Sequence, residues 1–91
     1  MFRILYHYLV VEDDIPRIAL LWKKKIKRAI EERLSVKPDV LYGKPLRRSF
    51  KGYRKLRVGD YRIIYRIEPD TVIIFVIRHR SVVYEIAEKR I

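Results

Sequence analysis

The chain has 91 residues, a net charge of +11 and no cysteine. This length fits one domain, residues 1–91, with a modest core; the lack of cysteine excludes disulfides and thiolate metal sites and fits a cytoplasmic setting. Hydrophobic residues make up 49% of the chain, which excludes a disordered basic tail, and no apolar run is long enough to span a membrane. The positive charge is suited to nucleic acid, an anionic membrane or an acidic protein as partner.

The first half of the chain predicts a strand followed by a helical region. Residues 2–9 are rich in aromatic and β-branched side chains and alternate weakly, which is typical of a strand. The acidic run at 12–14 offers candidate helix N-caps. Apolar residues then recur every three to four positions from 15 to 34, which predicts one bent helix or two packed helices. Lysines and arginines fill the opposite face.

The second half predicts an antiparallel sheet. Gly59 and Asp60 form a two-residue loop between alternating segments, which is typical of a β-hairpin. Residues 72–77 are apolar on both faces, as in a strand covered from both sides. Residues 82–91 predict a terminal strand or a short helix. The three expected strands lie at about 53–58, 61–68 and 71–78.

The predicted hairpin gathers cations on one face. Its turn sets Arg57 opposite Arg62, and residues directly opposite each other share a face. Opposed like charges destabilise a sheet, and the one acidic residue between 44 and 66 is Asp60, in the turn. We therefore expect this face to bind an external anion such as phosphate. The predicted pairs are Val58 with Tyr61, Arg57 with Arg62 and Lys55 with Ile64. The residues expected to project from the cationic face are Tyr53, Lys55, Arg57, Arg62 and Arg66.

A second cluster, Arg78-His79-Arg80 with Tyr84, leaves the same sheet and can reach the same pocket. His79 can exchange a proton near neutral pH, and Tyr84 can stack on a base or donate through its hydroxyl. The alternatives are a core position for Tyr84 and a solvated basic face for the cations. The sequence has no metal-ligand spacing, no Gly-rich phosphate loop and no Ser–His–Asp pattern, so we expect no metal or other cofactor.

These residue types suit the cleavage of RNA, which carries its own nucleophile in the 2′-hydroxyl. The reaction needs a base near that hydroxyl, cations around the phosphate and an acid for the leaving 5′-oxygen. Arg57 and Arg62 are candidate phosphate clamps, because guanidinium groups bind phosphate oxygens in pairs. Lys55 is a candidate base, and His79 a candidate acid or base.

Three stretches, GKPL at 43–46, GYRKLRVGDYRIIY at 52–65 and VIRHRSVVY at 76–84, resemble the RelE/ParE toxin superfamily in order and spacing, nearer its RelE-like mRNA interferases. The resemblance implies an α+β fold with an N-terminal strand, two antiparallel helices and a twisted antiparallel sheet of three to four strands. It also implies cleavage of mRNA in the ribosomal A site and neutralisation by a RelB-like antitoxin, for which we expect an acidic segment.

The resemblance also assigns candidate site residues. Tyr53 stands where some RelE-like enzymes have a lysine, so the general base is Lys55, His79 or Lys51. The superfamily also contains gyrase inhibitors with the same fold; that function and a non-catalytic nucleic-acid-binding module remain as alternatives. The candidate catalytic residues are Lys55, Arg62, Tyr84 and an arginine at Arg78 or Arg80, with His79 at a position whose role varies. The candidate RNA-binding residues are Arg57, Lys51, Arg54, Tyr53, Arg47 and Arg48.

Overall fold

The residues that the structure describes form a five-stranded sheet with helical segments on both faces. The structure, a computed structural model, describes residues 1–37, 44–45 and 50–91. In chain order its elements are β1 (Arg3–Tyr6), a π-helical turn (Val10–Asp14), a 3-10 turn (Ile15–Arg17), α1 (Leu20–Ala29), a second π-helical turn (Ile30–Leu34), β2 (Lys44–Pro45), β3 (Arg54–Val58), β4 (Tyr61–Ile67), β5 (Thr71–His79) and α2 (Val83–Arg90).

The predicted helical region consists of two segments separated by an extended step. Ile18 and Ala19 have ψ angles of 131° and 148°, so the helix starts again at Leu20. Ile18, Ile26 and Leu34 are buried against the sheet, which confirms the predicted apolar face and its end. Across the described residues, every helix is too short or too polar to cross a bilayer.

The acidic run supplies a predicted N-cap residue by position, since Asp14 precedes the 3-10 turn, but no side-chain capping hydrogen bond forms there. Neither short helical turn has a hydrogen bond from a capping side chain. Asp14 is fully buried and accepts hydrogen bonds from Arg78 and Arg90 instead. Charged donors bind a carboxylate more strongly than backbone amides do, and these two arginines lie more than 60 residues away in sequence.

The strands are arranged in the order β1-β5-β4-β3-β2. β3, β4 and β5 form the predicted antiparallel meander, and β2 extends it. β1 joins the other edge as a parallel strand beside β5, with Arg3 opposite Thr71. The α+β class is thus confirmed. The sheet is mixed, because β1 is parallel to β5 whereas the other strand pairs are antiparallel. A parallel pair requires a long crossover.

The β3–β4 hairpin has the predicted register at every pair. Arg57 lies opposite Arg62, and Lys55 lies opposite Ile64. Gly59 has φ 58°, a left-handed conformation that costs a side-chain-bearing residue about 1–2 kcal/mol. The turn therefore requires the glycine that made it recognisable in the sequence.

Both faces of β5 are covered, as its apolar sequence predicts. Ile74 and Ile77 pack against the helical region on one face. On the other face, α2 packs its buried Val83 and Ala87 against Ile64 and Val76. The segment after β5 is therefore a helix rather than a strand. Its first turn carries Tyr84, so docking of α2 positions this side chain over the hairpin.

Candidate functional site

An open pocket of about 430 Å³ lies where the β3–β4 hairpin, the end of β5 and the first turn of α2 meet. Its volume falls within the roughly 300–1,000 Å³ of small-ligand sites. The described side chains that line it include one lysine, two arginines and no carboxylate. We call this site the cationic pocket; its lining residues are Lys55, Arg62, His79, Arg80, Ser81 and Tyr84.

Lys55 and Tyr84 meet across the pocket although they are 29 residues apart in sequence. The Lys55 Nζ donates a hydrogen bond of 3.0 Å to the Tyr84 hydroxyl oxygen. Because its oxygen accepts from Lys55, the Tyr84 hydroxyl keeps its own proton for a ligand. Phe50 supports the ring from a centroid distance of 6.1 Å.

Arg62 is held by the hairpin turn that precedes it. Its Nη1 donates to the carbonyl oxygens of Gly59 and Tyr61 at 2.9 and 3.0 Å. The guanidinium Nε and Nη2 have no hydrogen bond within the described part of the chain. One nitrogen thus fixes the group, and the other two remain to bind an anion such as phosphate in a paired geometry.

His79 sits at the end of β5 with one ring nitrogen occupied. The Ser81 backbone N–H donates to His79 Nδ1 at 3.1 Å, and the Ser81 hydroxyl lies 2.8 Å from the same nitrogen. In the neutral ring, an accepting Nδ1 leaves the proton on Nε2. Sequence analysis did not include Ser81 in the site. The signal in the sequence that could have identified Ser81 is its position two residues after His79, which ends a predicted strand.

Arg80 completes the pocket and is weakly restrained. Its Nε lies 3.6 Å from an Asp60 carboxylate oxygen, and both side chains are exposed. Such an exposed pair contributes at most about 1 kcal/mol. The guanidinium is therefore free to move toward a bound anion.

Arg78 is not among the residues that line the cationic pocket. Its Nε donates to Asp14 at 2.7 Å and its Nη2 to Asp13 at 2.6 Å. Arg90, at the end of α2, donates to the same Asp14 through both Nη atoms, at 2.8 and 3.1 Å. Of the two arginines that the resemblance left open, the one with access to the pocket is Arg80.

The other described candidate residues do not line the cationic pocket. Arg57 is exposed and lines a separate groove against α1. Tyr53 packs edge-on against Phe75, and its hydroxyl accepts a 3.4 Å bond from Arg66. Arg54 and Lys55 are successive residues of β3 and lie on opposite faces of the sheet. Lys51 is exposed in the preceding turn. Arg47 and Arg48 lie outside the described residues.

The pocket has the chemistry of an anion site. Lys55, Arg62 and Arg80 contribute positive charge, and His79 and Tyr84 contribute hydrogen-bond donors. Among the described residues, no group of three or more His, Asp or Glu side chains could hold a metal ion. The arrangement can bind a phosphodiester and exchange protons with its oxygens.

Comparison with known proteins places this geometry in a family. The model of the family described as the ParE toxin of the type II toxin–antitoxin system parDE matches residues 2–84. Toxin RelG of Mycobacterium tuberculosis is 46% identical over 44 residues, which are 46% of this chain and 51% of that protein. The chain thus aligns with about half the length of that curated relative.

Solved structures resemble the fold over a larger part of the chain. The RelBE2 toxin–antitoxin complex from M. tuberculosis contains a chain 28% identical to this one, with a TM-score of 0.79 and coverage of 88% of this chain and 92% of that one. For the RelB–RelE antitoxin–toxin complex from Methanococcus jannaschii the identity is 29%, the TM-score 0.69 and the coverage 90% and 96%. YafQ from E. coli, 20% identical, shares the fold with a TM-score of 0.58.

Proposed function

Since this chain belongs to the ParE toxin family of type II toxin–antitoxin systems, within the RelE/ParE superfamily, we propose that it is a metal-independent endoribonuclease that cuts mRNA in the ribosomal A site. The observation that carries the proposal is the cationic pocket. Lys55, Arg62, His79, Arg80 and Tyr84 come from three elements and meet with no carboxylate among the described lining residues. A structural cation cluster is normally balanced by nearby acids, whereas a phosphodiester site needs a net positive field.

In the proposed reaction, the 2′-oxygen attacks the adjacent phosphorus, a 2′,3′-cyclic phosphate forms and the bond to the 5′-oxygen breaks. Lys55, as the free amine, takes the proton of the 2′-hydroxyl. His79, in its doubly protonated form, delivers the Nε2 proton to the leaving 5′-oxygen, while its Nδ1–H donates to the Ser81 hydroxyl oxygen, 2.8 Å away. Arg62 and Arg80 bind the phosphate oxygens as negative charge develops. The Tyr84 ring offers a stacking surface for the exposed base.

Replacement of Arg62 tests the pocket. We expect Arg62→Ala to slow cleavage about 10²–10³-fold, because it removes one positioned cation from the transition state. Arg62→Lys should restore part of the rate, since it keeps the charge and loses the paired geometry. The measurement is mapping of mRNA 5′ ends after induced expression. Codon-phased cuts should be lost in Arg62→Ala.

Arg17→Ala is the matched control, because Arg17 is exposed and pairs only with Asp13 at the surface among the described residues. It should cut mRNA at the wild-type rate. Thermal unfolding of each purified variant shows whether the fold is intact. An Arg62→Ala protein that is folded and fully active would overturn the proposed site.

We also propose an antitoxin partner with an acidic segment. Two of the proteins with similar structures, RelBE2 and RelB–RelE, were solved as toxin–antitoxin complexes. The net charge of +11 repels itself in the compact state, and an acidic segment would relieve that repulsion while covering cationic surface.

A second candidate function is inhibition of gyrase. One observation favours it, the match of residues 2–84 to a family described as ParE toxins. If this function is correct, supercoiling by purified gyrase fails in the presence of the protein while mRNA stays whole. Normal supercoiling at saturating protein, together with codon-phased mRNA cuts, eliminates it.

A further inference from the structure

The two histidines of the chain have the same local hydrogen bond at Nδ1. The backbone N–H of Leu9 donates to His7 Nδ1 at 3.1 Å, and the backbone N–H of Ser81 donates to His79 Nδ1 at 3.1 Å. His7 follows β1 and His79 ends β5, and each donor lies two residues further along the chain. The turn therefore fixes one tautomer of the neutral ring at both positions, with Nδ1 accepting and the proton on Nε2.

The side chain of the donor residue distinguishes the two positions. Leu9 has no polar side-chain atom, whereas the Ser81 hydroxyl oxygen lies 2.8 Å from His79 Nδ1. A hydroxyl can donate or accept a hydrogen bond, but a backbone N–H can only donate. His79 thus has a partner for Nδ1 in either protonation state, while the bond from Leu9 to His7 serves the neutral ring alone.

The proposed reaction requires the protonated form of His79. While Nε2 delivers its proton to the leaving 5′-oxygen, Nδ1 keeps its own proton and must donate throughout the transfer. The Ser81 N–H cannot accept that proton and points its own hydrogen at the same atom. Without the hydroxyl, protonation would break one hydrogen bond at Nδ1 and form none, at the moment when the ring becomes charged.

We propose that Ser81 is a positioning residue that lets His79 gain and deliver a proton, and that its hydroxyl thereby sets the pH range of cleavage; the second half of this inference rests on the proposed function. In the neutral ring, the Ser81 backbone keeps the proton on Nε2. On protonation, the Ser81 hydroxyl turns a lone pair toward Nδ1–H. The ring becomes neutral again when the 5′-oxygen takes the Nε2 proton, and exchange with water restores the starting tautomer.

Charged and titratable groups lie on both sides of His79, and the comparison of variants keeps them constant. Among the described residues, those in the cationic pocket are Lys55, Arg62, Arg80 and Tyr84, with the Asp60 carboxylate beside Arg80. Those that line a smaller cavity of about 150 Å³ together with His79 are Asp14, Arg17, Arg78 and Tyr61. A change confined to the Ser81 side chain leaves all of them in place, so a difference between variants measures the hydroxyl.

The test compares Ser81→Ala with Ser81→Thr, which keeps the hydroxyl. The imidazole nitrogen and proton shifts of the free full-length protein are followed by NMR from about pH 5 to 8, the range in which histidine titrates. His7 is the internal reference, because it has the same backbone bond and no hydroxyl. Cleavage of ribosome-bound mRNA is measured over the same range, and thermal unfolding confirms that both variants are folded.

We expect the His79 titration midpoint to fall by roughly 0.5–1 pH unit in Ser81→Ala, because a hydrogen bond to a charged group is stronger than one to a neutral group. The His7 midpoint should stay where it is, and Ser81→Thr should restore that of His79. Near neutral pH, Ser81→Ala should cut mRNA about 3- to 10-fold more slowly, which is the same shift expressed as a rate. Below both midpoints the two rates should converge, whereas a loss of packing would lower the rate equally at every pH.

An unchanged His79 midpoint in a folded Ser81→Ala protein overturns the inference. A midpoint that moves while the ratio of the two cleavage rates stays constant with pH overturns the claim that Ser81 sets the pH range. Failure of the proposed function gives a different result. If the wild-type protein makes no mRNA cuts, the ribonuclease proposal falls, and the NMR titration still supports or overturns the role of Ser81 in the protonation of His79.

Discussion

Asp14 accepts hydrogen bonds from the Ile77 backbone amide and from both Arg78 and Arg90. The carboxylate is fully buried, and the two arginine side chains are 12% and 4% exposed. One side chain thereby ties the turn after β1 to the end of β5 and to the end of α2. Since His79, Arg80 and Tyr84 lie between those two attachment points, Asp14 fixes one half of the cationic pocket.

Neutralising Asp14 should destabilise the protein strongly. We expect Asp14→Asn to lower the free energy of unfolding by about 3–5 kcal/mol, because two arginines lose the charge that compensates their burial. Asp60→Asn is the control, since its 3.6 Å pair with Arg80 is exposed and should change stability by less than about 1 kcal/mol. Urea unfolding of both variants measures the difference. Equal midpoints would show that the buried pairs contribute little.

Sequence reasoning identified five of the six pocket residues but did not distinguish Arg78 from Arg80. Both flank His79, and spacing alone gives them equal access to a site at the end of the strand. The difference arises from Asp14, which engages Arg78 from 64 residues away. A contact of this range leaves no local pattern, and an Asp near a helix start reads as a cap. The identity of the pocket arginine therefore required the tertiary structure.

At the scale of elements, the turn and the register of the β3–β4 hairpin were predictable to the residue. A two-residue turn with glycine fixes the pairing, and alternation fixes the faces. The irregularity between Ile64 and Tyr65, where β5 carries Phe75 as an extra residue, was not predictable. This irregularity depends on how β5 packs against the helical region on one face of the sheet and against α2 on the other. For the same reason, α2 was left open between strand and helix, because its buried partners lie on other strands.

The turn and α1 are coupled through Gly59, and a pair of glycine substitutions measures the coupling. Gly52 and Gly59 both have positive φ, so alanine at either should cost about 1–2 kcal/mol. At Gly59 the new Cβ would also meet Trp22, whereas at Gly52 it would meet nothing within 4 Å. We expect Gly59→Ala to be more destabilising than Gly52→Ala by about 1–3 kcal/mol.

Chemical denaturation of the two alanine variants provides the comparison. Equal losses would mean that the Trp22 ring shifts without cost. A larger loss for Gly59→Ala that disappears in a Trp22→Leu background would assign the difference to that ring.

At the scale of the whole molecule, the net charge of +11 makes the folded state sensitive to salt. We expect the melting temperature to rise as NaCl increases from about 10 mM to 150 mM, because the screening length falls from about 30 to 8 Å. The triple variant Arg3→Gln, Lys37→Gln, Lys89→Gln should show a smaller rise, since it carries less charge. Differential scanning fluorimetry measures both. A melting temperature that falls with salt would indicate that attractive surface pairs dominate.

The composition of the chain indicated a cationic surface but not that β1 pairs with β5. Local patterns predict individual strands. The pairing of β1 with β5 depends instead on how the helical region, which separates the two strands in sequence, packs against the sheet. The sheet was therefore expected to be antiparallel, and its parallel edge appeared only in the structure.

That parallel edge has a consequence for the order of events during translation. β1 leaves the ribosome first, but its pairing partner, Thr71 to Ile74, is made almost 70 residues later. Long-range pairing of this kind is slow, and the first strand waits unpaired while the intervening chain is synthesised. α2 emerges later still, bringing Tyr84 and Arg90. The cationic pocket is thus among the last features to assemble, and a nascent chain reaches nearly its full described length before it acquires a complete site.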